Sequence, residues 1–145
     1  MIDIKTSAGV TVMMLAHGKV NALDIEFCEA LAARFIELRQ SDAKAVVITG
    51  REEVFSAGVN LIRLAEGGAG YILKFLPALH KLYEAVFFHP KPVVAAINGH
   101  AIAGGAVHIS VTALSVASPL CKSRSVTAWR ICFLVCVNAG GDSTV

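Results

Sequence analysis

Lys91-Pro92-Val93-Val94-Ala95-Ala96-Ile97-Asn98-Gly99-His100-Ala101-Ile102-Ala103-Gly104-Gly105 sets a helix stop, a strand, a turn and a small-residue segment in succession. Each proline biases the residue before it away from helical geometry, so His89-Pro90-Lys91-Pro92 ends any helix that precedes it. Val93 to Ile97 is a short apolar run of the kind found in a strand buried on both faces of a parallel sheet. Asn98-Gly99 supplies a turn. Ala101 to Val107 is built mainly of small residues, which let a second backbone or a ligand come close, and it leads into a helix.

Working back from this stretch, Tyr71 to Phe88 returns apolar residues at helical spacing: Ile72, Phe75, Leu76, Leu79, Leu82, Tyr83 and Val86. Pro77 is expected to kink or restart that helix, and Gly67, Gly68 and Gly70 mark a flexible loop before it. Ala45-Val46-Val47-Ile48-Thr49 reads as another buried parallel strand, closed by Gly50. Ahead of it, Asp24 is placed to cap a helix whose apolar face is Ile25, Cys28, Leu31, Phe35 and Leu38. Acids lie early and arginines late along that helix, as its dipole favours. Ile2 to Lys5 and Val10 to Met13 alternate apolar and polar residues around Ser7-Ala8-Gly9, which predicts an opening hairpin. The element pattern is α/β. Beyond about residue 108 the periodicity blurs, and no element is assigned there.

The 145 residues suffice for one compact domain. Hydrophobic residues make up 55% and charged residues 17%, with a mean hydropathy of +0.64. That is high for a soluble monomer and points to oligomerisation or to poorly covered surface. A net charge of +2 without a basic stripe argues against nucleic-acid and membrane-surface partners. The amino terminus lacks the basic start and apolar run of a signal peptide, and no apolar run reaches a membrane span. A cytoplasmic location is therefore expected, with Cys28, Cys121, Cys132 and Cys136 as reduced thiols.

Two segments rich in small residues each follow a strand: Phe55-Ser56-Ala57-Gly58-Val59-Asn60-Leu61 and Asn98 to Gly105. Loops at strand ends are where α/β proteins bind ligands. Two such loops presenting backbone N–H groups to one point would form an oxyanion hole, which needs small neighbours more than particular side chains. From the residues alone, tight turns and close strand–helix packing are the better explanation of the glycines. The absence of a following Gly-Lys-Ser/Thr argues against a phosphate loop, and the absence of a Gly-x-Gly-x-x-Gly fingerprint argues against a dinucleotide fold. Among the histidines, His80, His100 and His108 are the acid/base candidates, although a histidine beside a core helix is more often a structural partner. Cys132, Cys136 and His108 match no common zinc spacing, so no metal is expected.

Lys19-Val20-Asn21-Ala22-Leu23, the Phe55 to Leu61 segment and the Lys91 to Gly105 segment, in this order and spacing, resemble successive signatures of the crotonase (enoyl-CoA hydratase/isomerase) family. The resemblance covers residues 1 to about 107. It implies a truncated crotonase-like ββα spiral fold over 1–107, followed by a divergent, irregular tail over 108–145. In that tail, Thr112 to Pro119 faintly resembles the family's next strand.

The resemblance also implies an acyl-CoA thioester as substrate, with coenzyme A as part of that substrate and no separate cofactor. The backbone N–H groups of Val59 and Gly104 would hold the thioester oxygen as an enolate develops. Lys19, Val20, Ser56, Ala57, Asn60, Leu61 and Ile62 would line the coenzyme A site, with Lys19 placed for a phosphate. Family members form homotrimers through C-terminal helices that this sequence does not contain.

The sequence departs from the family where hydratases carry a glutamate three residues after the oxyanion glycine: Val107 stands there and cannot transfer a proton. No aspartate or glutamate occurs between Glu84 and Asp142, so the second family glutamate is missing too. A tail read in a shifted frame, or an early stop, would account for both the loss of acids and the cysteine cluster. Two readings follow: an enzyme of the hydratase/isomerase type using another thioester reaction, or a truncated and inactive chain with at most weak coenzyme A binding.

Overall fold

The structure, a computed structural model, describes residues 1–102 and the backbone of residues 114–117. The chain opens with an antiparallel hairpin, β1 (Ile2–Ser7) and β2 (Val10–Leu15). Its turn places Ala8 and Gly9 both at positive φ, 50° and 79°, the arrangement whose twist matches the flanking strands. After β3 (Ala22–Leu23) comes α1 (Ile25–Arg39), capped by the Asp24 carboxylate, which accepts from the Phe27 N–H at 2.9 Å. Next are β4 (Ala45–Thr49), β5 (Val54–Ser56), β6 (Gly58–Val59) and α2 (Leu61–Phe87). The described chain closes with β7 (Val93–Ile97), β8 (His100–Ala101) and β9 (Leu114–Ala117).

The main sheet has the order β1-β2-β4-β7-β9, antiparallel at the β1 edge and parallel from β2 onward. β9 falls within the Thr112 to Pro119 segment and pairs with β7 from Val94↔Leu114 to Ile97↔Ala117. Two short parallel pairs, β3-β6 and β5-β8, stand beside this sheet. Alternate strand residues enter the core: Met13 and Leu15, Val46 and Ile48, then Val93, Ala95 and Ile97. Phe27, Leu31 and Phe35 of α1 and Phe75, Leu82 and Val86 of α2 share that core. Each such large side chain contributes about 1.5–3 kcal/mol when fully buried.

Four local expectations are corrected. β4 and β7 are fully buried on one face only, their alternate residues being half-buried. The Gly67 to Gly70 segment is part of α2, whose two helical stretches meet at Gly68, the residue with non-helical dihedrals (φ 57°, ψ −154°). The break therefore sits at Gly68 and not at Pro77. Pro77 and Leu73, whose carbonyl a proline leaves without a helical donor, both lie on the exposed face, where water can satisfy that oxygen. The buried face of α2 is Phe75, Ala78, Leu82, Ala85 and Val86, while Ile72 and Leu76 are exposed. The small residues Ala78 and Ala85 let α2 approach closely, a feature that scanning for large apolar residues misses. No described helix is long and apolar enough to cross a membrane.

Candidate functional site

The site is a set of turns at the ends of the parallel strands, held together by two asparagines and a serine. Asn98, just after β7, accepts from the Gly50 N–H at 3.0 Å and donates to the carbonyls of Gly50 and Glu52 at 3.0 and 2.7 Å. Asn21, at φ 49° before β3, accepts from the His17 N–H at 2.8 Å and donates to the Phe55 carbonyl at 3.1 Å. The buried Ser56 hydroxyl donates to the Asn21 carbonyl at 2.8 Å and accepts from the Gly58 N–H at 3.1 Å. Gly50 and Gly99 are required by contact: an added Cβ would lie 2.1 Å from the Val54 carbonyl oxygen and 1.8 Å from that of Glu53. These side chains and glycines weld the β4–β5 turn to the β7–β8 turn and to the approach to β3.

The backbone frame continues into the Phe55 to Leu61 segment. Ala57 donates to the Val20 carbonyl and Asn60 to that of Leu23, both at 2.9 Å, with Val59 opposite Leu23 in the β3-β6 pair. Successive N–H groups of a strand point to opposite edges. Because Asn60 donates toward β3, the Val59 N–H is directed away from β3. On the other side of this segment, Ile102 donates to the Ser56 carbonyl at 3.0 Å and His100 to that of Glu53 at 2.8 Å. The two small-residue segments named from the sequence are thus adjacent, joined through β5 and β8. Gly104, Val107 and His108 lie outside the described residues.

Val20 and Ala57 are bonded to each other, and Val20, Lys19, Leu61 and Ile62 are exposed. The Ser56 side chain is committed to the turn, and the Asn60 side chain caps α2 by accepting from the Arg63 N–H at 3.2 Å. Ser56 thus offers a ligand only its backbone, and Asn60 its backbone and its amide Nδ2. His80 lies on the exposed face of α2 beside Glu84, 3.4 Å away. Cys28 is buried in α1, and desolvation, with Asp24 and Glu29 adding to it, pushes its thiol up to about 12, so it is an inert core residue. No metal-binding group of side chains occurs among the described residues.

One polar cluster carries no sequence signature. His17 Nε2 meets the Asp24 carboxylate at 2.8 Å, and its ring stacks on Phe27 with centroids 4.5 Å apart. Arg63 reaches Asp24 at 3.5 Å, makes two bonds to Glu26 at 2.8 and 3.0 Å, and lies over the Tyr71 ring. Burial alone would raise the Asp24 pKa; the hydrogen bonds from His17 and the Phe27 N–H and the neighbouring positive charges outweigh it and hold the carboxyl below its usual value. This cluster ties the starts of α1 and α2 together next to the Val59 strand. Its members come from α1 with its cap, α2 and the segment between β2 and β3, which no local spacing could reveal.

The enoyl-CoA hydratase/isomerase family profile matches residues 5–122. The chain belongs to this family. A Thermus thermophilus protein carrying an enoyl-CoA hydratase name is 34% identical over 110 residues, which span 73% of this chain and 44% of that protein. The mitochondrial enoyl-CoA delta isomerase 1 of Rattus norvegicus is 25% identical over 107 residues, covering 72% of this chain and 37% of that one.

Among solved structures, an enoyl-CoA hydratase from Bacillus anthracis matches with a TM-score of 0.75 at 25% identity, over 80% of this chain and 46% of that one. Pseudomonas aeruginosa DspI matches in fold with a TM-score of 0.79 at 22% identity, over 84% and 51%. The fold is therefore that of the crotonase family. The chain spans about half or less of the length of these relatives.

Proposed function

We propose that this crotonase-family chain binds an acyl-CoA thioester, with the Val59 and Gly104 N–H groups donating to the thioester oxygen as an enolate develops. The observation that carries this reading is the direction of the Val59 N–H, turned away from β3 on a segment whose neighbours are locked by Asn21, Ser56 and Asn98. Rigid donors of this kind act without reorganising at the moment of reaction. Lys19, Val20, Ala57, Leu61 and Ile62, with the backbone of Ser56 and Asn60, form the coenzyme A side. In hydratase/isomerase terms the chemistry is polarisation of the thioester, followed by proton movement through a group other than a glutamate at position 107.

A second reading is favoured by one specific observation: Val107 and the acid-free run from 85 to 141 leave the two-glutamate addition of water without its proton carriers. On that reading the chain binds coenzyme A and does not turn it over. Crotonyl-CoA offered to the pure protein separates the two, with binding followed by calorimetry and turnover by loss of the enoyl absorbance. Binding with turnover supports an enzyme, binding without turnover supports the second reading, and no binding overturns both. If the protein is active, Val59→Pro, which deletes the N–H without touching the β3 ladder, lowers turnover by about a hundredfold or more.

A further inference from the structure

β1 lies at the end of the main sheet and pairs only with β2 among the described residues. Its register fixes which backbone groups are already spent. The Ala16 N–H donates to the Met1 carbonyl at 2.9 Å, and Ser7 stands opposite Val10 across the Ala8-Gly9 turn, so the odd-numbered residues of β1 bond to β2. Ile2, Ile4 and Thr6 therefore turn their N–H and C=O groups outward, along an edge on which Asp3 to Ser7 are all exposed. Such an edge is a template for another strand.

The side chains favour one strand in particular. Ile2, Ile4 and Thr6 stand opposite the buried Leu15, Met13 and Thr11, so they share the core face of the sheet, and Ile4 at its rim is 41% exposed. Asp3 and Lys5 project from the other face, and neither takes part in an ion pair among the described residues. Charges on an edge strand commonly prevent pairing, and an edge of a single sign repels its own copy. Here the two signs stand two residues apart. When two copies of β1 lie antiparallel with Ile4 opposite Ile4, the outward-facing residues meet each other, Ile2 with Thr6 on either side of the central pair. Asp3 of each copy then stands opposite Lys5 of the other, an attractive cross-strand pair made twice. Sliding one copy by two residues sets Asp3 against Asp3 or Lys5 against Lys5, which is repulsive. Sliding it by one sets outward backbone groups against inward ones, and the ladder cannot form. The charges thus select one register over its neighbours.

We infer that β1 is a docking edge for a second copy of this chain, joined antiparallel across a two-fold axis so that one sheet runs through both copies. The contact is isologous, the same patch on each side, so it closes at this edge as a dimer. The two exposed Ile4 side chains become neighbours on the core face, and the two Asp3–Lys5 pairs flank them on the other. A strand of six residues offers a small interface, so the dimer is expected to be a weak one, in the micromolar range. The inference is independent of the acyl-CoA reading, since none of these residues belongs to that site.

Sedimentation velocity of the full chain, from low micromolar to near-millimolar protein, is the test. The parent is expected to pass from monomer to dimer as concentration rises. Asp3→Lys alone and Lys5→Asp alone each set like charges opposite one another, and each should weaken dimerisation about tenfold or more, with a smaller effect at high salt. Mixed in equal amounts, the two variants are complementary and should pair as well as the parent does. Ile4→Pro removes an outward N–H without touching the β1–β2 ladder and should also abolish the dimer. Circular dichroism checks that each variant keeps the parent's fold. A parent that stays monomeric throughout overturns the inference, as does a dimer that both charge variants leave within about twofold of the parent. Failure of the mixture to restore pairing overturns it too. Each of these outcomes leaves crotonyl-CoA binding, measured separately, untouched.

Discussion

Gly99 and Gly70 show how differently one residue type is used within this chain. A Cβ at Gly99 would sit 1.8 Å from the Glu53 carbonyl oxygen, the same oxygen that accepts the His100 N–H, so backbone must move against backbone. Gly70 lies in α2 with nothing within 4 Å of its Cβ position. Gly99→Ala is expected to cost about 3 kcal/mol or more, whereas Gly70→Ala gains about 0.5–1 kcal/mol from helix propensity. Urea unfolding midpoints of the two variants measure the contrast. His89 gives a second prediction at this scale. Its Nε2 is buried and makes no hydrogen bond of ordinary geometry among the described residues, and its ring stands edge-on to Phe35. Burial lowers its pKa below 6.5, outweighing the backbone at Lys91 and Phe35, which pulls upward. The unfolded chain therefore binds the proton more readily, so His89 contributes fully above pH 6.5 and its contribution is lost as the pH falls below that value. His89→Phe is expected to flatten the pH dependence of the urea midpoint just below pH 6.5. The separate loss from Asp24, confined to pH below 3.8, remains in that variant.

At the scale of elements, the end of α1 is held by a residue from the far side of the sequence. Lys91 Nζ donates to the Leu38 and Ser41 carbonyls and reaches the Ser41 hydroxyl at 3.1 Å. These are carbonyls at a helix C-terminus, where a cation also answers the helix dipole. Lys91→Met keeps the stem and removes the charge, and is expected to lower stability by about 1–3 kcal/mol in denaturant unfolding. Lys91 stands in the stretch that decides the fold, where its neighbours mark it as part of a helix stop and of a family signature but not as a cap. What it caps lies some fifty residues earlier, and local patterns do not carry that distance. By contrast, the hairpin, α1 with its Asp24 cap, and the strands at Ala45 and Val93 were legible, because alternation, capping and proline act between near neighbours. The break in α2 was misplaced because an exposed face tolerates Pro77, while Gly68 takes dihedrals open to glycine alone. The ordered motifs made the two site segments legible; the polar network of His17, Asp24, Glu26, Arg63 and Tyr71 was not, since tertiary packing alone assembles it.

At the scale of the molecule, the site is not a loop laid on a finished core. Asn98 ties the end of β7 to the end of β4, Asn21 and Ser56 tie the approach to β3 to β5, and β3 pairs with β6, which leads directly into α2. A ligand that bridges the Lys19 and Val59 segments would therefore engage residues whose displacement requires the central strands to part. Binding to the folded state should then stabilise the whole domain. On the acyl-CoA reading, crotonyl-CoA at about a hundred times its dissociation constant would add about 2.7 kcal/mol by mass action, provided that the unfolded chain does not bind it. For a chain of this size that corresponds to a rise in Tm of about 5–10 °C. Differential scanning calorimetry with increasing crotonyl-CoA checks it: a single transition should move upward logarithmically with ligand concentration. A Tm that stays fixed as crotonyl-CoA is raised overturns binding to the folded chain, since any ligand held by the folded state alone must raise it.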